Sequence, residues 1–422
     1  MKKYAVIAVF FGVFWVSEAH ADARAQAKRI HDRLTGAPPT PAMLEAMTDA
    51  IEGGSNGTYD AALYAMDGAP GVDASGDFYS VTLKNWATPW TNEAQDRFAP
   101  LNDYSATVVG MIRDDRDFRE ILSADLVYTG QISGIPPYSN SSNDHYAALE
   151  ASGANLGDSG VLAASSQSAT LNIPPEAAAG VMSTRAAARA FFVDGTNRAM
   201  FRFTVLNHLC MDLEQLKDNT RPTDFIRQDV SRSPGGDSKL FLNGCVSCHS
   251  GMDPMAQAFA YYDFVYPDED AAPGLELEER KDLGEMVYSQ ELVQAKYHIN
   301  ASTFAPGYET PDDHWVNYWR LGENSARIGW REAADNSGSV DRAINDAFSE
   351  GDGAASLGWE LANTEAFSYC QVRKVFRTLC LREPMGTPAE ESAVQGFVDT
   401  FNSGHRLKPV FAEVAGYCAV HL

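Results

Sequence analysis

The chain has 422 residues, 45% of them hydrophobic, so it can form one large core or two to three domains, and global disorder is excluded. Its 33 basic and 57 acidic residues give a formal net charge of -24. Nucleic acid and anionic membrane surfaces would repel such a chain, so neither is expected as a partner.

Residues 1–21 have the pattern of a secretory signal peptide. Lys2 and Lys3 precede an apolar run from Tyr4 to Val16, and Ala19-His20-Ala21 is a small-x-small cleavage site. The run is short for a membrane span, although an uncleaved anchor is the alternative. No transmembrane anchor is expected after cleavage. Removal of residues 1–21 changes the formal net charge from -24 to -25. The sequence therefore predicts an exported bacterial protein, in the periplasm or secreted.

Helical patterns dominate the rest of the chain, so the predicted fold is mainly α with few short strands. Residues 22–130 are expected to form an N-terminal helical domain. Within it, Thr40 is a predicted N-cap, Pro41 occupies the first helical position and Gly53 closes the helix.

Four further segments follow in chain order. The stretch 131–172 is rich in Ser, Gly, Asn and Ala, so residues 131–179 are predicted to form an irregular linker. Residues 126–136 and 160–173 could hold short strands or extended loops. Residues 180–265 form the next predicted domain, with an apolar helical repeat from Phe201 to Leu213. Residues 266–351 read as an insertion. Residues 352–422 predict a C-terminal helical domain, with helices at 365–381, 388–402 and 407–417 joined by short loops.

The segment from Cys245 to His249 reads C-x-x-C-H, and it is the strongest indication of a chemical function in the sequence. Two thiols one helical turn apart reach the two vinyl groups of one porphyrin, and the adjacent His falls under the iron. Cys245 and Cys248 are thus predicted to bind haem c covalently, with His249 as the proximal iron ligand. A zinc site would need a second Cys/His pair at close spacing, and a thioredoxin-type motif would need a βαβ setting. Asp253-Pro254 is expected to break the helix after the motif.

The distal iron ligand is left open by the sequence. Met286 and His298 lie 37 and 49 residues beyond His249, a plausible return distance, and His314 is a third candidate. With an open distal face, a polar group such as His298, His314 or Arg320 would instead support peroxidase or oxidase chemistry.

Four cysteines remain and allow three pairings. Cys370 and Cys380 lie about 15 Å apart on one predicted helix, beyond disulfide reach. If helices 365–381 and 407–417 run parallel, their C-terminal ends meet, which pairs Cys380 with Cys418. Cys210 with Cys370 follows by elimination, with free buried thiols as the alternative.

An aromatic-rich segment lies in the insertion and comprises Tyr308, Trp315, Tyr318, Trp319 and Trp330. Such a cluster can bind sugar faces or line a haem edge, although packing is its commoner role.

The stretch GCVSCHSGMDPMAQAFAYYD, from Gly244 to Asp263, resembles a family of exported bacterial haem proteins first noted in planctomycetes. Its pattern is C-x-x-C-H, then Asp-Pro, then an aromatic-Asp pair. Cys210 resembles the cysteine that this family places upstream, and Ser368–Pro384 resembles its C-terminal helical domain. The resemblance implies a cytochrome c-like haem domain between helical regions, in a family of unsettled activity. The stretch 268–351 departs from the pattern.

These observations predict an exported monohaem c-type cytochrome that transfers electrons to or from a redox partner protein with a basic docking patch. The first alternative is a haem peroxidase or oxidase with an open distal site. The second is a glycan- or surface-associated redox binding protein, whose Trp-rich segment would contact the glycan.

Overall fold

The computed structural model describes residues 22–193, 195–331, 343–344 and 349–421. The predicted signal peptide, residues 1–21, lies outside the described residues.

The described chain is mainly helical, which confirms the predicted fold class at this level. Short 3-10 and π turns link many of the α-helices. The α-helices are α1 (Ala23–Thr35), α2 (Pro41–Gly53), α3 (Gly57–Asp67), α4 (Lys84–Ala87), α5 (Asp103–Arg113), α6 (Asp144–Ala151), α7 (Gln167–Leu171), α8 (Arg185–Phe191), α9 (Arg198–Leu209), α10 (Ser238–Leu240), α11 (Val246–Ala256), α12 (Leu277–Asp282), α13 (Glu323–Ile328), α14 (Gly353–Ala362), α15 (Glu365–Cys380), α16 (Pro388–Gly404) and α17 (Leu407–His421).

Seven short strands form three small antiparallel sheets in the described residues. The strands are β1 (Val127–Gly130), β2 (Leu162–Ser165), β3 (Tyr262–Val265), β4 (Glu285–Tyr288), β5 (His314–Asn317), β6 (Ala343–Ile344) and β7 (Ser349–Asp352). β1 pairs with β2, β3 pairs with β4, and the third sheet has the order β5-β7-β6.

The N-terminal helices follow their local signals. The Thr40 side chain accepts a hydrogen bond from the backbone N–H of Met43, and α2 begins at Pro41 and ends at Gly53, as predicted. Met43 and Met47 are buried on one face of this helix. Helices α1 to α3 pack together and against α17, so the two ends of the described chain share one layer.

Helix α5 runs through the centre of the molecule, and every one of its residues is buried. Asn102 and Ser105 form a capping box at its start, which satisfies backbone groups that water cannot reach there. Gly110 permits close packing, because a Cβ atom at this position would lie 2.0 Å from the Tyr128 ring. A single hydrophobic cluster extends around α5, from Ala27 to Ala419.

Segment 131–179 is more ordered than its composition predicts. It contains α6, β2 and α7, and its Tyr146, Leu149 and Leu162 are buried in the main core. The short strands expected within 126–136 and 160–173 are present as β1 and β2. These short elements form because a few well-spaced apolar side chains anchor the segment, although small polar residues dominate its composition. Its role as a linker between domains stays a prediction.

The three C-terminal helices lie where the sequence predicted them, at α15, α16 and α17. Their short connections make α15 and α17 parallel neighbours. Cys380 and Cys418 meet at the C-terminal ends with their Cα atoms 5.4 Å apart, and Cys210 meets Cys370 at 5.3 Å. Both pairs are disulfide-bonded, in the pairing that the sequence analysis expected.

The described residues of segment 266–351 pack against the rest of the molecule. Its strand β4 pairs with β3, and β5 contacts α11 directly. The Trp319 indole lies against the backbone of Gly251 so closely that a Cβ atom there would lie 1.9 Å from the indole nitrogen. The segment predicted as an insertion therefore supports the helix that carries the C-x-x-C-H motif.

Candidate functional site

The motif lies at the start of α11, after an irregular helical lead-in. The Asp237 side chain accepts from the backbone N–H of Lys239 and caps α10, which continues through a π turn, Phe241–Cys245, into α11. The π turn between the two helices has no signal in the sequence.

Pro254 does not break the helix where the sequence predicted. Helix α11 continues past Pro254 to Ala256 before a 3-10 turn begins. An interior proline removes one backbone hydrogen bond and costs roughly 3 kcal/mol in an isolated helix. Here Pro254 lies near the helix end in the buried core, where tertiary packing outweighs this local preference.

Cys245 and Cys248 are the two cysteines that form no disulfide bond. They are spaced by three residues across the start of α11, and both thiols are partly buried. The Cys245 side chain packs against an apolar cluster of Ile226, Val230, Phe241 and Val246. Burial raises the pKa of the Cys248 thiol, so this cysteine is held mainly as the thiol at neutral pH.

His249 presents one ring nitrogen to the protein. Its Nδ1 atom lies 3.0 Å from Oδ1 of Asp253, one turn further along α11. Among the described residues, its Nε2 atom has no hydrogen-bond partner, and the side chain keeps 20% of its surface exposed. The imidazole is thus oriented by the protein through Nδ1 and keeps Nε2 available for a ligand.

Asp253 is fully buried and lies within an ionic network. Arg198 donates from Nε to Oδ1 at 2.7 Å and from Nη2 to Oδ2 at 3.1 Å, and it also binds Asp229 at 2.6 and 2.9 Å. Burial acts to raise the pKa of Asp253, but the charge of Arg198, together with the hydrogen bond from His249, outweighs burial and holds that pKa far below its usual range. Asp253 is therefore a permanent carboxylate.

A second arginine completes the network behind the motif helix. Arg227 is fully buried, and its backbone N–H lies 3.4 Å from Oδ2 of Asp253. Its guanidinium carbon lies 4.6 Å from the centre of the Tyr297 ring and its Nη2 binds Thr196.

Sequence reasoning missed this network. The spacing of His249 and Asp253, four residues apart on one helix, is the signal that could have identified the first contact. Arg198 lies 55 residues from Asp253 in the chain and had no such signal.

The surface beside the motif is apolar at the lead-in. Leu240 and Leu242 are 56% and 59% exposed, which is unusual for leucines so close to a buried cluster. The Cys248 sulfur lies 3.7 Å from the backbone oxygen of Leu213.

The donor set fits a covalently attached haem. Such a group requires two free thiols one turn apart, a His with a free Nε2 and apolar surroundings, and the region from Leu240 to His249 provides all of these. In the described part of the chain, no group of three or more His, Cys, Asp or Glu side chains is arranged to hold a metal ion by itself.

The distal-ligand candidates are placed on three separate elements. The Met286 side chain is buried in the main core on β4, opposite Phe264 of β3. His298 is 40% exposed, with Nδ1 at 4.0 Å from Glu309. His314 contacts Asp352 at 2.9 Å. None of these contacts brings a candidate side chain to His249, so the assignment of a distal ligand stays a prediction.

The aromatic segment contributes packing and leaves little surface for glycan. Trp315 and Trp319 are fully buried, with the Trp315 indole nitrogen bound to Ser356 at 2.6 Å. Trp330 is half-buried and donates to the backbone oxygen of Trp319. Buried indoles cannot stack on a sugar, so Trp315 and Trp319 give no support to the glycan-binding alternative.

Comparison of the chain with protein families, curated proteins and solved structures finds no match. Within the described residues, no helix combines the length and apolar character needed to cross a membrane.

Proposed function

We propose that this protein is an exported c-type cytochrome that carries one haem on Cys245, Cys248 and His249 and transfers electrons to a partner protein. The observation that carries the proposal is the selective state of the cysteines. Four of the six pair as disulfides, while the two in the C-x-x-C-H motif are free, one turn apart and next to an imidazole with an unengaged Nε2.

The attachment chemistry requires the thiols of Cys245 and Cys248. Cys245 and Cys248 would each hold the porphyrin through a thioether bond, formed by addition of the thiol S–H across a vinyl group with no leaving group. The reaction consumes no oxidant, but both cysteines must be reduced when it occurs. The Cys245 position against the cluster around Phe241 would place the porphyrin edge in apolar surroundings.

His249 would bind the iron through Nε2, with Asp253 fixing the ring. A haem bound in this way supplies one-electron transfer. Two of the three polar groups proposed for peroxidase chemistry are engaged elsewhere, since Arg320 binds the buried Glu360 at 2.8 and 3.0 Å and His314 binds Asp352. These contacts favour the electron carrier over the enzyme.

The proposed location follows from two independent features. The signal-peptide pattern of residues 1–21 directs export, and two disulfide bonds in the described chain suit an oxidising compartment. Haem attachment to C-x-x-C-H occurs in the same compartment.

The test is expression of the full chain in a bacterium that carries a cytochrome c maturation system. We expect a red protein whose mass, after denaturation, exceeds that of the polypeptide by one haem. The double variant Cys245→Ala/Cys248→Ala should lose the covalent haem. The matched control Cys380→Ala/Cys418→Ala, which also removes two cysteines, should retain it. A colourless wild-type protein of polypeptide mass would contradict the proposal.

A further inference from the structure

We infer that Asp253 is a positioning residue that sets the reduction potential of the haem iron by accepting the Nδ1 proton of His249. The inference rests on the proposed function. It adds a determinant of electron-transfer energetics that lies outside the C-x-x-C-H motif.

The geometry fixes the tautomer of His249. A carboxylate can only accept hydrogen bonds, so at 3.0 Å from Asp253 the Nδ1 atom must be the donor. The lone pair therefore lies on Nε2, the nitrogen that has no partner among the described residues. A ring in the other tautomer would present N–H to the iron, where it could not bind.

The carboxylate itself cannot rotate away. Both oxygens of Asp253 are engaged, Oδ1 by His249 and by Nε of Arg198, and Oδ2 by Nη2 of Arg198. Arg198 is in turn held by two bonds to Asp229. A buried acceptor held at this many points orients the imidazole more firmly than one flexible contact would.

The charge of the acceptor determines the direction of the effect. A carboxylate that accepts the Nδ1–H proton increases electron donation from Nε2 to the iron more than a neutral carbonyl would. Greater donation stabilises ferric iron relative to ferrous iron and lowers the reduction potential. Arg198 shares Oδ1 and reduces this effect, so Asp253 and Arg198 are expected to act on the potential in opposite directions.

The experiment measures the midpoint potential of the mature holoprotein by spectroscopic titration. We expect Asp253→Asn to raise the potential by about 59 mV, a tenfold change in the one-electron equilibrium. The control Asp218→Asn removes another buried aspartate that is paired with an arginine, Arg221 at 3.0 Å, and whose backbone binds Ser247 of the same helix. It should change the potential much less. Arg198→Gln should lower the potential, which provides a second test should Asp253→Asn fail to accumulate.

A second readout separates positioning from general stability. The Nδ1–H proton of His249 should give a slowly exchanging NMR signal in the wild type and in Asp253→Glu, and should exchange faster in Asp253→Ala. If the holoprotein forms and Asp253→Asn leaves its reduction potential unchanged, the inference is wrong while the proposed function stands. Arg198→Gln decides in the same way if Asp253→Asn does not accumulate. If no haem is attached to the wild type, the proposed function itself has failed.

Discussion

At the scale of single residues, a glycine of the motif helix packs closely against a buried tryptophan. The α11 backbone at Gly251 meets the buried Trp319 indole, and no side chain larger than hydrogen fits between them. This contact determines how near the motif helix lies to segment 266–351.

We therefore predict that Gly251→Ala destabilises the protein by about 1–3 kcal/mol, the usual cost of overpacking a core. The measurement is urea denaturation followed by circular dichroism. Gly244→Ala is the matched control, because Gly244 lies just before α11 and no atom lies within 4 Å of the added Cβ. The control should be neutral or slightly stabilising. Equal effects of the two variants would contradict the contact.

Asp313 provides a prediction about pH. Burial raises its pKa to about 6, with further contributions from Asp352 and Asp312, while His314 acts in the opposite direction. Because the folded state holds this proton more tightly than the unfolded state, the contribution of Asp313 to stability is favourable below about pH 4 and is lost as the pH rises to about 6.

Asp313→Asn should therefore remove part of the fall in stability between pH 4 and pH 6 and should stabilise the protein above pH 6. The check is the urea midpoint of both proteins at several pH values across this range. Parallel curves for the wild type and the variant would show that Asp313 does not titrate there.

At the scale of elements, the sequence predicted what is encoded locally. The bounds of α2 and the three C-terminal helices follow from caps, apolar spacing and helix-breaking residues that lie within each segment. The short elements of segment 131–179 depend on contacts with distant elements, so its composition alone does not indicate them. The predicted helix from Phe201 also ends early, at Leu209, since Cys210 adopts a left-handed conformation with φ 56°.

The candidate site shows the same division. The sequence identifies Cys245, Cys248 and His249 because they lie within five consecutive residues. The Asp253–Arg198 pair joins α11 to α9, and the Gly251–Trp319 contact joins positions 68 residues apart. Contacts of this kind depend on the tertiary fold, and a single sequence contains no periodic signal for them.

The disulfide between α15 and α17 gives an element-scale prediction. It closes a separation of 38 residues, for which the chain-entropy relation gives about 4 kcal/mol, within a usual range of roughly 2–5 kcal/mol. The variant Cys380→Ala/Cys418→Ala should lose about this much stability in urea. Alkylation of the denatured, unreduced wild type should label neither cysteine. Labelling of Cys380 and Cys418 would contradict the bond.

At the scale of the whole molecule, charge is the dominant property. Acidic residues outnumber basic ones and give a formal net charge of -24 before cleavage of the predicted signal peptide. This charge produces a negative electrostatic field around the protein. If the protein carries electrons as proposed, its redox partner must come close, and this field would select partners with a basic docking surface and repel acidic ones.

Electron transfer from the reduced protein should therefore depend on salt in a partner-specific way. With a small acceptor protein of net positive charge, we expect the second-order rate to fall by roughly tenfold or more as salt rises from 10 mM to 0.5 M, because screening shortens the range of attraction. With an acceptor of net negative charge and similar potential, the rate should rise with salt. Stopped-flow spectroscopy of the haem bands measures both rates. If neither rate changes with salt, the negative field has no part in partner selection. Docking would then rely on apolar contacts, which the exposed side chains of Leu240 and Leu242 beside the motif could provide.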